Sequence, residues 1–318
     1  MDAPAIEDGP KVAILLPCHN QAATIEGVVR GFAEAIPAAR IYVFDNNSTD
    51  DTARVATRAG ARVYREARQG TGNVIRRMFA DVDADIYVLA DPARGYDPAD
   101  APSLVNALIT ERVDMVVGTR DGRVPGNGFA APRDRRPFRE RSFDLLYRQF
   151  FGGTLKDIGS GYRAFTRRFV RSFPAITTGF DVEIELSMHA SQLMIPVAEI
   201  GLQDPLSQDR NAGKQRPAGE SLRTGKMLAM LVKDARPFLF YSMFALVFWS
   251  IGLVLMAPGL LASPDAPNVS VSHELLGMAM LVAGFILAGC GLILDALGRS
   301  RVEQKRILFL TVPSLGAQ

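Results

Sequence analysis

Residues 12–50 read VAILLPCHNQAATIEGVVRGFAEAIPAARIYVFDNNSTD, and this stretch decides the fold class. It begins with an apolar run from Val12 to Leu16 and continues with apolar residues at helical spacing between Ile25 and Ile36. It closes on a second apolar run, Ile41 to Phe44, followed by polar residues. A strand, a helix and a strand at this spacing predict two parallel strands joined by a helical crossover.

The same alternation continues along the chain. Short apolar runs recur at Arg62 to Tyr64, Ile86 to Leu89 and Met115 to Val117, with helical patterns at Asp50 to Ala59 and Asn73 to Asp81. Repeated strand and helix units of this kind build a sheet with its helices packed on both faces. We therefore predict an α/β domain with a mostly parallel sheet.

Polar clusters follow three of the predicted strands, at Pro17 to Gln21, Asp45 to Asp50 and Asp91 to Pro98. Ligands of such sheets bind beyond the carboxyl ends of the strands, so these clusters mark the candidate site. Carboxylates and amides there could hold a ribose, a base edge or a divalent ion; alternatively, Asp45 and Asp50 cap the next helix. Neither a Gly-rich dinucleotide fingerprint nor a Walker-type phosphate loop is present in the sequence.

Two segments explain why a chain of 318 residues with 22% charged residues still has a mean hydropathy of +0.09. Phe238 to Pro264 and Leu275 to Leu294 contain no charged residue. About 20 apolar helical residues cross a hydrocarbon core of about 30 Å. We predict a transmembrane hairpin with spans at about 238–261 and 275–294, although a buried hairpin of a soluble protein gives the same pattern. The composition argues against a purely soluble enzyme, and it excludes a disordered chain and a disulfide scaffold.

Basic residues flank the apolar segments: Lys233 and Arg236 precede the first, and Arg299, Arg301, Lys305 and Arg306 follow the second. The positive-inside rule predicts both ends in the cytoplasm and the short link outside. The predicted domains are a cytoplasmic domain at 1–212, a juxtamembrane amphipathic helix at 213–236, and the two spans with a basic cytoplasmic tail at 237–318. The amphipathic segment fits a helix on the membrane lipid or one docked on the domain.

The formal net charge of +2 gives no general reason to expect a nucleic acid partner. The segment from Arg120 to Arg148 is rich in arginine but lacks the aromatic platforms that nucleic acid binding needs. It fits a solvated loop or a lid equally well. Cys18 and Cys290 lie too far apart in the sequence to suggest a disulfide or a metal site.

The polar segments together resemble family 2 glycosyltransferases of GT-A fold. Five segments carry the resemblance: Pro17 to Gln21, Asp45 to Thr52, Asp91 onward, Asp157 to Arg163, and Gly179 to Leu186. With the apolar hairpin they are most similar to the polyprenyl-phosphate branch, which includes dolichyl-phosphate mannosyltransferase and the bacterial GtrB type. The resemblance implies transfer of a sugar from a nucleotide sugar to an undecaprenyl-type phosphate, on the cytoplasmic face of a bacterial inner membrane.

The resemblance also implies roles for particular residues. The expected nucleotide-sugar contacts are Pro17, His19, Asn20, Asp45, Asn46, Gly70, Asp91 and Ser160. The expected catalytic residues are Asp91, Arg163, Asp181 and Glu183. The expected cofactor is Mg²⁺ or Mn²⁺, held by Asp91, with Asp97 as a further candidate ligand.

The sequence departs from the family pattern at several of these positions. The paired acids Asp-x-Asp read Asp91-Pro92-Ala93, so the second metal ligand is missing. Gln21 replaces an acid, Thr71 replaces a lysine, and Gln203 to Gly219 lacks a Tyr-x-x-Arg pattern. Two interpretations stay open: an active transferase with altered donor or metal use, recruiting Asp97 or Arg94, and a pseudoenzyme that acts as a binding or regulatory membrane partner. A homo-oligomer is open in both.

Overall fold

The computed structural model describes residues 9–119, 155, 157–175, 182–202, 233, 236–261 and 271–315. Four sequence predictions fall outside the described residues. They concern the Arg120 to Arg148 loop, the candidate catalytic residue Asp181, the polar segment Gln203 to Gly219, and the amphipathic helix before the first apolar segment, apart from Lys233 and Arg236.

A seven-stranded sheet forms the centre of the first part of the described chain. Its strands are β1 (Val12–Cys18), β2 (Arg40–Asp45), β3 (Arg62–Arg65), β4 (Ile86–Leu89), β5 (Met115–Thr119), β6 (Arg163–Thr166) and β7 (Val197–Gly201). They lie in the order β3-β2-β1-β4-β6-β5-β7. Strand β6 is antiparallel to β4 and β5, and the other neighbouring pairs are parallel. The predicted mostly parallel sheet is confirmed.

Helices connect the strands. They are α1 (Ile25–Ala35), α2 (Thr52–Arg58), α3 (Thr71–Asp81), α4 (Ala101–Thr110), α5 (Arg167–Ser172) and α6 (Val182–Gln192). Helix α1 shows why the periodicity was informative: Ile25, Val29 and Phe32 repeat at helical spacing and are buried. Each buried side chain of this size stabilises the fold by about 1.5–3 kcal/mol. Burial of this stripe places α1 against the sheet.

Two strands were not predicted from the sequence. Strand β6 has four residues and begins with a charged one, Arg163, so its composition gives no strand signal. It forms because β4 and β5 pair with it on either side. Strand β7 pairs only with β5 among the described strands, at the edge of the sheet.

Two long apolar helices follow, α7 (Pro237–Leu261) and α8 (Val271–Thr311). Each contains a segment long and apolar enough to cross a membrane, Pro237–Pro258 and Ser272–Thr311. Only 11% and 17% of the residues in their most apolar windows are buried. The predicted apolar segments thus form helices, and α8 continues well beyond the predicted end at Leu294.

Glycines bring α7 and α8 close together. A Cβ on Gly284 would lie 2.4 Å from Cδ1 of Trp249, and one on Gly277 would lie 2.6 Å from Cγ of Met256. Real Cβ atoms do not approach other atoms so closely, so these positions require the absence of a side chain. Gly277, Gly284 and Gly291 recur every seventh residue along α8, which keeps them on one face of the helix.

Contacts divide the chain into two compact units, Met1–Gln215 with Lys305–Gln318, and Arg216–Gln304. The last residues of α8 therefore belong to the first unit. There the Lys305 Nζ donates to Oε1 of Gln192 at 3.3 Å, and the Arg168 guanidinium lies 4.7 Å from the centre of the Phe309 ring. The sequence predicted only a basic tail here, and the domain boundaries at 212 and 236 stay predictions.

Candidate functional site

The candidate site lies where β1, β2 and β4 end and polar loops begin. Cys18 ends β1, Asp45 ends β2, and Asp91 follows β4 closely. The backbone N–H of Asn46 donates to the Cys18 carbonyl at 2.8 Å, which holds the first two loops side by side. The strand order therefore brings together the polar segments that the sequence placed at one edge of the sheet.

Asn46 organises the loop after β3. Its Nδ2 donates to the carbonyls of Glu66 and Arg68 at 3.1 and 2.8 Å, and its Oδ1 accepts from the Gly70 N–H at 2.8 Å. Gly70 has a φ of +124°, a conformation that glycine adopts without steric cost. Asn46 and Gly70, both expected to contact the donor, here bind each other and shape the loop.

The loop after β1 is tied to the loop after β2. Oδ1 of Asn20 accepts from the Thr49 N–H at 2.8 Å, and the Asn20 N–H donates to Oγ of Ser48 at 2.9 Å. The carbonyl of Asn46 lies 2.9 Å from Nδ1 of His19. His19 and Asn20 are exposed at this edge, and Pro17 is half-buried below them. The bonds of His19 and Asn20 tie the two loops together, and contact of these residues with a ligand stays a prediction.

Asp45 is 5% exposed, and its carboxylate accepts from the Ser48 N–H at 3.3 Å. Asp50 accepts from the Ala22 N–H at 3.0 Å and from Thr52, and its bond with the Thr52 side chain is the largest cause of its lowered pKa. Asp50 thus fits the alternative in which an acid supports the start of a helix, since Thr52 begins α2. Asp45 lies deeper, at the end of its strand.

The pKa of the Cys18 thiol depends on the charges at this edge of the sheet. Its Sγ donates to the Leu16 carbonyl at 3.6 Å. Burial raises the pKa of the thiol, and the negative charges of Asp91 and Asp45 raise it further. The two carboxylates that the sequence singled out therefore act on a common region. The second cysteine, Cys290, is exposed on α8.

Asp91 and Arg94 form the second half of the site. The Ala93 N–H donates to Oδ1 of Asp91 at 2.9 Å, which starts a short 3₁₀ turn at Pro92–Arg94. Nε of Arg94 reaches Oδ2 of Asp91 at 3.4 Å, and Nη2 of Arg94 donates to Oε1 of Glu183 at 2.9 Å. Burial raises the pKa of Glu183, and the charge of Arg94 partly offsets this. The candidate catalytic residues Asp91 and Glu183 are thus linked through Arg94.

A divalent metal does not fit this arrangement. Ala93 offers no ligand, and the Asp91 carboxylate accepts from the Ala93 N–H and Arg94. Oδ1 of Asp97, the further candidate ligand, accepts from the Ala99 N–H at 2.9 Å and caps another 3₁₀ turn. Among the described residues, no three His, Cys, Asp or Glu side chains are grouped to hold a metal ion. The predicted Mg²⁺ or Mn²⁺ site at Asp91 is therefore not supported by the residues present.

Ser160, expected to contact the nucleotide sugar, and Arg163, expected to be catalytic, do not reach the surface of the site. Both side chains are fully buried. Arg163 donates to the carbonyls of Ser160 and Ile158 at 2.7 and 2.6 Å, and Ser160 Oγ donates to the Gly118 carbonyl at 2.6 Å. The physical reason is that β6 lies between two other strands, so the segment leading into it is covered. The two side chains hold the loop that approaches Arg94.

Two tyrosines with a supporting role were missed from the sequence. The Gly161 N–H donates to the Tyr96 hydroxyl at 3.0 Å, and the Tyr162 hydroxyl donates to the Asp97 carbonyl at 3.1 Å. They join the Asp91 turn to the loop before β6, and their rings lie 5.0 Å apart. A signal for Tyr96 was present, because an aromatic residue inside a short polar turn needs an apolar partner.

Comparisons with known proteins agree with this geometry. The family model for Glycosyl transferase family 2 matches residues 13–173. Protein RfbJ of Shigella flexneri is 52% identical over 109 residues, which are 34% of this chain and 84% of that protein. Glycosyltransferase AglJ of Haloferax volcanii is 29% identical over 309 residues, 93% of this chain and 97% of that one.

Solved structures extend the comparison to the fold. Glucosyl-3-phosphoglycerate synthase of Mycobacterium tuberculosis, in complex with Mg²⁺ and uridine diphosphate, aligns with a TM-score of 0.54 and 26% identity. The alignment covers 71% of this chain and 79% of that one. The expected GT-A fold is thereby confirmed. Because the family model spans β1 to β6 and the loops that form the site, the chain belongs to glycosyl transferase family 2, whose members transfer a sugar from a nucleotide sugar.

Proposed function

We propose that this chain is a membrane-anchored glycosyltransferase that moves a sugar from a nucleotide sugar to a polyprenyl phosphate on the cytoplasmic face of a membrane. One observation carries the proposal. The chain combines a donor-type site at the ends of β1, β2 and β4 with two apolar helices whose residues are mostly exposed. A polyprenyl phosphate acceptor accounts for both parts of the chain, because its phosphate reacts with the donor and its polyprenyl chain lies in the membrane.

The apolar helices support a lipid environment. Val254 is 72% exposed and Phe285 is 67% exposed, and similar side chains continue along both helices. Water-soluble proteins rarely leave apolar patches of this extent uncovered. The core helices of a soluble protein would instead be largely buried. The basic residues on both flanks, Lys233 and Arg236 before α7 and Arg299, Arg301, Lys305 and Arg306 in α8, favour cytoplasmic ends by the positive-inside rule.

The chemistry fits the groups at the site. A phosphate acceptor is ionised at neutral pH, so one of its oxygens can attack C1 of the sugar without general-base help. The bond between C1 and the diphosphate oxygen breaks, and the nucleoside diphosphate leaves with its electron pair. Such a step depends on orientation and on stabilising the leaving charge. In this proposal Asp45, at the end of β2, contacts the nucleoside, and the exposed Arg94 contacts the diphosphate.

Transfer can be tested with the full chain in detergent or lipid discs. We expect release of nucleoside diphosphate from one donor of a panel of UDP-sugars and GDP-sugars, only when polyprenyl phosphate is added. The matching polyprenol, which lacks the phosphate, should give no release. Asp45→Asn should lower the rate by about tenfold or more because it weakens donor binding. Asp81→Asn, at an exposed ion pair on α3, is the matched control.

The alternative drawn from the sequence is a binding or regulatory protein without catalysis. It predicts nucleoside diphosphate binding without turnover, with Mg²⁺, with Mn²⁺ and without metal. That result across the whole panel would contradict the transfer proposal. Membrane anchoring is tested separately: the chain should stay with the lipid after alkaline carbonate extraction, and its release would contradict the proposed spans.

A further inference from the structure

Four charged side chains come together beyond the end of β4, and we call them the Arg94 cluster: Asp91, Arg94, Arg163 and Glu183. Arg94 contacts Asp91 and Glu183, and its Nη1 also donates to the Gly159 carbonyl at 3.1 Å. The charges of Arg94 and Arg163 both lower the pKa of Glu183, and that of Asp91 raises it. The other three groups therefore all act electrostatically on Glu183.

With all four groups ionised, these described side chains carry two positive and two negative charges. A divalent ion on Oδ2 of Asp91 would compete with Arg94 for this oxygen and would add two positive charges beside the guanidinium. Related structures contain Mg²⁺ or Mn²⁺ together with uridine diphosphate, so the metal contributes charge there. In this chain the guanidinium of Arg94 contacts the acid that follows β4.

Of the two arginines in the cluster, only Arg94 can meet a ligand. Its side chain is 32% exposed, whereas Arg163 is fully buried. The three contacts of Arg94 named above come from three segments of the chain, and they hold its guanidinium in place before any ligand arrives. A guanidinium donates parallel hydrogen bonds to phosphate oxygens, and a fixed one loses less entropy on binding.

We propose that Arg94 supplies the positive charge that faces the donor diphosphate, and that the chain binds its nucleoside diphosphate without a divalent cation. This inference rests on the proposed function, since it concerns the same donor site. Binding through Arg94 can be distinguished from metal-dependent binding by experiment. The diphosphate contact is then made by a side chain, which a substitution can remove.

The first test measures binding of UDP and of GDP to the full chain by calorimetry, once with EDTA and once with excess Mn²⁺. For the nucleotide that binds, we expect the two dissociation constants to agree within about threefold. Tighter binding with Mn²⁺ beyond that limit overturns the inference while leaving the proposed function standing. Absence of binding in all four conditions overturns the proposed function, and the inference with it.

The second test separates ligand contact from a structural role. Arg94→Ala should weaken binding of the nucleoside diphosphate by about tenfold or more, but binding of the matching monophosphate by less than about threefold. Equal losses for both ligands would show that Arg94 only supports the loop, and would overturn the inference. Arg30→Ala, which removes an exposed ion-paired arginine on α1, is the matched control.

If Arg94→Ala does not fold, Arg94→Lys tests the same contact with the diphosphate. Lysine keeps the charge but loses the planar pair of donors. We expect a loss of diphosphate affinity with monophosphate affinity retained, and still no response to Mn²⁺. A lysine variant that loses affinity equally for the diphosphate and the monophosphate would show that Arg94 only supports the loop, and would overturn the inference.

Discussion

Oδ1 of Asn46 and the backbone N–H of Gly70 are joined by a 2.8 Å hydrogen bond, although 24 residues separate them. Asn46→Asp tests this link. The variant keeps the acceptor for Gly70, but it turns an oxygen toward the carbonyls of Glu66 and Arg68. Because those carbonyls lose their donor in a buried place, the free energy of unfolding should fall by about 2–4 kcal/mol.

Urea unfolding of the full chain measures this change, with Asn106→Asp on the exposed face of α4 as the control. Nucleotide affinity should fall together with stability, since Asn46 acts through the loop. An Asn46→Asp variant of unchanged stability and reduced affinity would instead point to direct contact with the donor.

Arg163→Met should destabilise the fold. The buried guanidinium donates to the carbonyls of Ser160 and Ile158, and Met leaves both without this donor. We expect the free energy of unfolding to fall by about 2–4 kcal/mol. Arg54→Met, at an exposed ion pair on α2, should change little. A stable Arg163→Met chain that has lost diphosphate affinity would instead support the role at the site that the resemblance implied for Arg163.

Gly284→Leu should disrupt the packing of α7 against α8. The new side chain would meet the ring of Trp249. Overpacking of this kind costs about 1–3 kcal/mol. Trp249 is the only tryptophan of the chain, so its fluorescence reports the contact directly. Gly289→Leu, where a Cβ meets nothing within 4 Å, is the control. Equal effects of the two substitutions would contradict the close approach.

His189 should make stability depend on pH. The side chain is buried against Phe169 and Phe173, and its Nε2 lies 2.9 Å from Oγ of Ser172. Burial, with a smaller effect of the Lys305 charge, lowers its pKa from 6.5 to about 3. The unfolded chain therefore binds a proton that the folded chain does not bind between these values.

Because the folded-state pKa of His189 is lowered, its contribution to stability is complete above the unfolded pKa and is lost as the pH falls below it. Between about pH 7 and about pH 5 the free energy of unfolding should fall by about 2 kcal/mol on this account. Urea unfolding at the two pH values should show this loss in the wild type and not in His189→Gln. The same slope in both chains would contradict the prediction.

Two of the strands that the sequence predicted consist of continuous apolar runs. Val12 to Leu16 and Ile86 to Leu89 lie in the middle of the sheet. Because both faces of these strands are buried, their residues form an uninterrupted apolar run in the sequence. Strand β6 could not be predicted from an apolar run. Its strand state comes from pairing with β4 and β5, which are distant in sequence, so tertiary contacts override a weak local signal.

Prediction of the site was limited for the same reason, because contacts between residues distant in sequence determine its geometry. The topological rule for open sheets correctly predicted that Asp45 and Asp91 lie at one edge. The sequence could not show that Arg94 meets Glu183, since 89 residues separate them. Nor could it show that Arg163 is buried, because a motif gives the order of residues and not the direction of their side chains. The identity of the donor and the roles of Asp45 and Asp91 stay predictions.

The unequal environments of the two cysteines make the wild-type chain suitable for spectroscopy. The thiolate is the form that reacts with labelling reagents, and burial together with the nearby carboxylates keeps the Cys18 thiol protonated. An apolar maleimide spin label, which can enter the detergent around α8, should therefore attach at the exposed Cys290 and not at Cys18. After reconstitution, collisions of that label with oxygen or with a water-soluble paramagnetic complex would measure the depth of α8 in the bilayer, with no engineered cysteine.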